Sequence, residues 1–458
     1  MVSPTEPVRI PRFLFWGLAG LLLVAFAIRL AAAHYWQDRL GSEQTFAWGD
    51  SKTYWQIAEN LVHDGDYSFG SPPKRIFRAP GYCGLLAVEM QLSETLLQRP
   101  FSIMAARWTG AALGTFAIAL MGCWVWTLTR STIGSLLTVA GLAIYPGGIA
   151  MSVFVLAEAM FIPVMVLALW TWSQALQQPR WGQVLAWSLV AGLMNGQAIL
   201  IRPSWLLFPP LVSLLLLACF GQRSRTFLSA VVVGLGIIVA MTPWWYRNYQ
   251  LTDRFVPTTL QVGASLYDGW NPQADGSSDM SHGYRIEEEV RQSVLTQGIE
   301  NNWTDQEIAV QQELTANDRL SQAARVWASE HPWQLVKLFF VKVGRTWRPW
   351  PIADEASSPA MQWLVGASMV LILIFAVPQL FRAFQAPAWM LLFFPTVYFT
   401  VLHGVFVGSI RYRQPAVFLL VPFAAIGFHL TCRWLLSSRG NTTDTGKGPL
   451  HKKTATQG

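Results

Sequence analysis

Residues 13–33 read FLFWGLAGLLLVAFAIRLAAA, a run broken by one charge, Arg29. About 20 mostly apolar residues in a helix cross the roughly 30 Å hydrocarbon core of a bilayer, so this run is long enough to span it. Nine further runs of the same character follow, at 101–128, 131–149, 151–175, 184–201, 203–220, 227–244, 361–381, 387–407 and 413–432. The expected fold class is therefore an all-α polytopic membrane protein, with about ten transmembrane helices and two long outer loops. Two joints are set by proline, which disfavours helix at the residue before it. The third and fourth runs part at the turn around Tyr145-Pro146-Gly147-Gly148, and the fifth and sixth at Arg202-Pro203.

Composition supports this reading. The 458 residues are 52% hydrophobic and 13% charged, against roughly 25% charged in a typical soluble protein. A disordered chain, a collagen and a disulfide scaffold are excluded, and recurring apolar runs argue against a soluble enzyme. The four cysteines, Cys83, Cys123, Cys219 and Cys432, are scattered without metal-ligand spacing, and no disulfide is expected. Residues 1–33 also match the outline of a signal peptide. The run is long for one, and Arg29 lies just before Ala31-Ala32-Ala33, so an uncleaved first span is expected.

Orientation follows from the bias of Lys and Arg in short loops. One side carries 12 bases against two acids, Glu6 and Asp444, which fits a cytoplasmic side holding both termini, the N-terminus at 1–12 and a disordered tail at 433–458. The other side carries the loops 34–100 and 244–360 and a turn at 409–414, with 23 of the 26 acids and 18 of the 33 bases. The net charge of +7 thus reflects membrane orientation and leaves no basic face for nucleic acid. The expected location is the plasma (inner) membrane, multi-pass, with the lipid bilayer as the first partner.

The polar chemistry sits in the outer loops. In the first, Asp50-Ser51 precedes Tyr54, Ile57, Ala58 and Leu61, and His63-Asp64-Gly65 follows. That spacing predicts an amphipathic helix lying at the membrane surface. Asp50 is either its N-cap or a carboxylate available as a general base. The segment Lys74-Arg75-Ile76-Phe77-Arg78-Ala79-Pro80-Gly81-Tyr82 is either an interfacial anchor or an anion site. In the second loop, Tyr284 to Arg348 shows helical spacing, so a helical outer subdomain is expected over 244–360. Glu158 falls near the outer end of the fourth run. Arg29, Arg107, Arg202, Arg411 and Arg413 also stand at outer span ends. Charge at such depth is costly and often functional; Glu158 either pairs with one of these arginines or shapes a site. His282 and His403 are isolated, and no divalent metal is indicated.

Taken in order, these residues resemble a known family. The pattern runs Gly49-Asp50-Ser51-x-x-Tyr54-x-x-x-Ala58-x-x-Leu61, then Gly65-x-Tyr67 and Arg78-x-Pro80-x-Tyr82. It continues through Leu156-Ala157-Glu158-Ala159, Ile201-Arg202-Pro203-Ser204, Pro243-Trp244-x-x-Arg247-Asn248-Tyr249 and Arg411-Tyr412-Arg413-x-Pro415. Over residues 10–430 the chain resembles the GT-C superfamily, and within it the dolichyl-phosphate-mannose protein mannosyltransferase-like glycosyltransferases, which include bacterial aminoarabinose transferases. Two positions depart from the family pattern. Ser51 follows Asp50 where a second acid is common, and Cys83 follows Tyr82 where proline is common, so the second catalytic carboxylate stays open.

The resemblance implies an integral membrane glycosyltransferase. It would move a hexosyl or pentosyl group from a polyprenyl-phosphate-linked donor to an acceptor hydroxyl on a glycan, lipid or protein, with inversion. Asp50 and Glu158 are then the candidate catalytic carboxylates. Arg78, Arg202, Arg247, Arg411 and Arg413 are candidates for the donor phosphate, and Tyr54, Tyr82, Asn248 and Tyr412 for the substrate cavity. Three other readings compete: a flippase or transporter of lipid-linked precursors, a non-catalytic assembly protein, and a glycan polymerase or ligase. A transporter would place its sites near the bilayer midplane and often show internal repeats, whereas here the polar residues cluster at one face.

Overall fold

The computed structural model describes residues 11–40, 46, 48–351 and 358–441, with side chains to 437. The predicted N-terminal segment 1–12 falls largely outside that range; of the tail 433–458 expected to be disordered, residues 433–441 continue the last helix and the rest fall outside the range. The described residues are helical, with one isolated bridge between Phe69 and Lys74 and no strand. In chain order the helices are α1 (Arg12–Leu40), α2 (Gly49–His63), α3 (Pro80–Leu96), α4 (Ile103–Thr129), α5 (Thr132–Ile144), α6 (Pro146–Val153), α7 (Glu158–Gln177), α8 (Trp181–Ile201), α9 (Phe208–Cys219) and α10 (Arg223–Thr252). After these come α11 (Val262–Gly269), α12 (Tyr284–Glu300), α13 (Asp305–Glu330), α14 (Pro332–Trp347), α15 (Pro359–Ala376), α16 (Pro387–Val405) and α17 (Gln414–Asn441).

All ten predicted spans correspond to helices. Eight are long and apolar enough to cross a membrane; the short turn Val377–Phe384 extends the one begun by α15. The pair α5 and α6 forms one span bent by 58° at Tyr145, and Pro203–Cys219 is shorter. The chain therefore bends at Tyr145-Pro146 and does not part there. The break before the next span lies at Phe154–Ala157, where Val155 has a φ of 57°. Positive φ is unusual for a β-branched residue. Consequently α7 begins at Glu158 and not at 151.

Small residues set the helix spacing. In α8 and α10, Gly192 and Gly236 let the two backbones touch, and Ser188 and Ser229 share a hydrogen bond of 2.8 Å across the same interface. Close backbone approach plus interhelical hydrogen bonding is how helices associate in lipid, where apolar surface gains nothing by leaving the tails. Helix α7 is the most enclosed span, with Phe161, Met165, Leu169 and Trp172 all buried. Helix α1 presents Phe13, Trp16, Leu23 and Val24 outward, as a lipid-facing span should.

Helices α2, α3 and α11 to α14 form a layer on the face where the two long loops emerge, here called the loop face. Two small apolar clusters hold this layer together. Ile76 packs with Val256, Leu260, Val310 and Leu314, while Phe77 packs with Ala264 and Leu320. Buried Glu313 of α13 accepts the backbone N–H groups of Arg75 (2.8 Å) and Ile76 (3.0 Å), fixing the 66–79 loop on the subdomain. Thr304 and Glu307 form a capping box at the start of α13, which accounts for Thr304 as a structural residue.

Candidate active site

Five separate positions of the chain converge at the loop face. Asp50 lies in the first turn of α2, and Arg78 just before α3. Glu158 opens α7, Arg202 closes α8, and Arg411 lies between α16 and α17. Their charged groups form a continuous row, Arg78–Asp50–Arg411–Glu158–Arg202. Arg78 Nη2 donates to Asp50 Oδ1 at 2.6 Å, and Arg411 Nη1 to Asp50 Oδ2 at 2.8 Å. Arg411 turns its Nε and Nη2 to Glu158, at 2.8 and 3.3 Å. Arg202 Nη1 lies 2.7 Å from Glu158 Oε1. Three cations face two anions, which leaves one positive charge in surplus.

The N-cap alternative for Asp50 does not hold. The cap position is Trp48, which makes no side-chain cap bond, and both Asp50 oxygens go to arginines. Burial alone would raise the Asp50 pKa, but Arg78 and Arg411 outweigh it and hold the carboxyl well below the usual range. Burial pulls the Arg411 guanidinium down, while Glu158 and then Asp50 push it well above its ordinary value. Glu158 gains further support from its place at a helix N-terminus, where the macrodipole favours an anion.

The two carboxylates differ in access. The Asp50 side chain is 29% exposed, the Glu158 side chain 0%. Of the two, only Asp50 is therefore open to an incoming group. Ser51, next to Asp50, donates its hydroxyl to the Phe154 carbonyl at 3.0 Å. That bond ties α2 to the irregular segment that presents Glu158.

Aromatic side chains frame the row. The Arg78 guanidinium lies 5.2 Å from the Tyr54 ring, and Tyr54 meets Tyr82 edge to face. Tyr412 lies beside both Arg411 (5.7 Å) and Arg202 (5.9 Å). The remaining sequence candidates stand elsewhere. Arg247 stacks over Trp244 (4.8 Å) and Tyr67 (5.0 Å) and donates to buried Asn248 at 3.0 Å. It lies one layer behind the row, since Tyr67 donates its hydroxyl to the Arg78 carbonyl. Arg413 is buried and donates to the carbonyls of Thr346 and Arg348, anchoring the end of α14.

Two residues that sequence reading passed over, Gln261 and Trp48, and one that it weighed only as a metal ligand, His403, belong to the surroundings. Gln261 accepts from Arg78 Nη1 at 3.2 Å, and Trp48 lies 5.4 Å from Arg411. His403 stacks flat on Tyr412 at 4.7 Å, beside the Val407 backbone, with neither ring nitrogen completing a hydrogen bond. Their sequence neighbourhoods carry no charge pattern that would have marked them. Among the described residues no three His, Cys, Asp or Glu side chains gather at metal-binding distance.

The described residues thus form an all-helical, multi-pass membrane protein with five charged side chains gathered on one face. Residues 88–255 match the family Dolichyl-phosphate-mannose-protein mannosyltransferase. No curated protein sequence matches the chain. Among solved structures it is similar to the archaeal oligosaccharyltransferase AglB from Archaeoglobus fulgidus, in complex with an inhibitory peptide and a dolichol-phosphate. There the identity is 13% and the TM-score 0.58, over 96% of this chain and 53% of that one. The apo form of the Archaeoglobus fulgidus enzyme gives 12% identity and a TM-score of 0.54, over 95% and 53%. ArnT from Cupriavidus metallidurans bound to undecaprenyl phosphate gives 15% identity and a TM-score of 0.44, over 91% and 78%. The chain thus spans about half the length of the oligosaccharyltransferase whose fold it shares.

Proposed function

We propose that the protein is a membrane glycosyltransferase that moves a sugar from a polyprenyl-phosphate donor to an acceptor hydroxyl at the loop face, with inversion. The observation that carries this reading is the row of three arginines and two carboxylates with its surplus positive charge, set at the membrane boundary. An amphiphilic donor brings its phosphate to that depth. Guanidinium forks suit phosphate oxygens, and fixed positive charge stabilises the phosphate as it leaves. The reported dolichol-phosphate complex of the archaeal structure agrees with a lipid phosphate as ligand.

In this reading the phosphate competes with Asp50 for Arg78 and Arg411. Loss of those partners returns the carboxylate toward ordinary basicity. Asp50 then takes the proton of the acceptor hydroxyl, and the hydroxyl oxygen bonds to the anomeric carbon. The bond from that carbon to the phosphate oxygen breaks, and its electron pair leaves with the polyprenyl phosphate. Glu158, fully buried, keeps Arg411 and Arg202 in place. Arg247 and Arg413 act as supports behind the site. The loop face is the outer face of the plasma membrane, and both termini are cytoplasmic.

Binding of undecaprenyl phosphate to the purified protein in nanodiscs tests the assignment. Arg202→Ala and Arg78→Ala are each expected to weaken it by about tenfold or more, the scale of a lost charge-assisted contact. Unchanged binding in both variants contradicts the phosphate role of the row.

A further inference from the structure

A pocket of about 490 Å³ opens in the loop layer, separate from the arginine row but sharing a wall with it. Its volume falls among small-molecule sites, about 300–1,000 Å³. The wall is the 69–77 loop, where Phe69 and Phe77 meet edge to face at 5.9 Å. The floor is apolar, from Leu260, Ala264 and Leu320. The rim carries two ion pairs, Lys74–Glu287 at 3.2 Å and Arg291–Glu288 at 3.5 Å, and the exposed ring of Tyr284. Gln312, 8% exposed, lines the pocket; its Nε2 donates to the Arg291 carbonyl, and its Oε1 has no hydrogen-bond partner. Phe77 joins the pocket to the site, since its ring lies 5.4 Å from the guanidinium of Arg78, which contacts Asp50.

We propose that this pocket is a carbohydrate subsite that holds a neutral sugar of the acceptor. The inference rests on the reading of the chain as a glycosyltransferase and names the acceptor class. A sugar ring has an apolar C–H face and a rim of hydroxyls. Aromatic faces suit the first, and fixed carboxylates, a guanidinium and a carboxamide suit the second. Gln312 Oε1 is closed off without a partner, which is costly; a turn of the carboxamide toward the pocket lets a sugar hydroxyl donate to it and removes that cost. Lys74 and Arg291 face Glu287, Glu288 and Glu313, so the pocket has no positive surplus and does not favour an anion. An extended peptide would seek unpaired backbone groups. Here Phe69 and Lys74 bond each other's backbone, and the N–H groups of Arg75 and Ile76 go to Glu313.

The test uses the full-length protein, fluorescently labelled, on an array of neutral glycans, anionic glycans and peptides, with undecaprenyl phosphate binding measured in parallel. Neutral glycans are expected to bind. Tyr284→Ala, an exposed change that spares the fold, and Gln312→Leu are each expected to weaken that binding about tenfold. Both should leave undecaprenyl phosphate binding unchanged. Binding confined to peptides or anionic glycans, binding to nothing on the array, or neutral-glycan binding untouched by both variants overturns the proposal. Failure of wild type to bind undecaprenyl phosphate instead strikes the donor reading, and the array result stands apart from it.

Discussion

At the scale of single residues, Arg411 joins the two halves of the site. Its three nitrogens serve two carboxylates that lie 361 and 253 positions before it in the sequence. A lysine offers a point charge in place of a fork, so Arg411→Lys is expected to hold one carboxylate and abandon the other. Arg411→Ala leaves buried Glu158 short of its main partner, at a cost of about 3–5 kcal/mol, read as a fall in thermal stability in detergent. An Arg411→Ala variant as stable as wild type would contradict the row as a structural unit. The pH dependence follows from Asp50. Its carboxyl lies below the unfolded value of about 3.9, so its contribution is complete above that value and fades as pH falls through the folded one. The stability gap between wild type and Asp50→Asn should stay level from pH 8 to 5 and shrink only in stronger acid; a gap closing between pH 7 and 5 contradicts the pairing. The sequence alone marked Glu158, Arg202 and Arg411 as charges at span ends, and Asp50 and Arg78 by a helix start and a cation–aromatic segment in the first loop. It did not separate Arg411 from Arg413. The two stand two positions apart, and only the turn before α17 decides that one faces Glu158 and the other the end of α14.

At the scale of helices, two devices hold the site in place. Gly110 of α4 lies against Ser152 of α6, where a Cβ would collide with the Ser152 carbonyl oxygen. Gly110→Ala is expected to push α6 away and disturb the segment that presents Glu158. The second device is Lys342 of α14, fully buried, whose Nζ donates to the carbonyls of Gly269 (2.8 Å) and Val405 (2.9 Å). These are the last residues of α11 and α16, so one cation serves the negative ends of two helices. Burial lowers the Lys342 pKa from 10.5 to about 8, against the opposing pull of Asp268. Between those values the native chain binds fewer protons than the unfolded one, so this lysine makes stability rise with pH across that window. Lys342→Met should lose that rise and destabilise the loop layer by about 1–3 kcal/mol for each stranded carbonyl; thermal scans from pH 7.5 to 10.5 read both effects. A variant with wild-type slope and stability contradicts this role. Hydropathy gave the existence of the spans but misplaced a joint. Pro146 signals a boundary, yet it only bends the span, while the true break at Phe154–Ala157 is wholly apolar and carries no proline or glycine.

At the scale of the whole molecule, the spans alternate so that Asp50, Arg78, Glu158, Arg202 and Arg411 all emerge on one face. The orientation of that face is a prediction from the uneven distribution of Lys and Arg. A reporter active only in the cytoplasm, fused after Gly458, should be active, and one inserted after Asn301, at the end of α12, should be silent. The reverse pattern would place the site on the cytoplasmic side. The loop layer was legible as helical from its spacing. Its pocket was not, because residues 69–77 and 284–320 meet only through tertiary contacts. The most direct test of sugar transfer uses proteoliposomes supplied with polyprenyl-phosphate-linked hexose and pentose donors and a mixed acceptor pool. Wild type should release polyprenyl phosphate with label passing to an acceptor. Asp50→Asn should lose about 10²–10⁴-fold in rate, the usual worth of a general base, while still binding undecaprenyl phosphate. Transfer at the wild-type rate by Asp50→Asn would contradict the account.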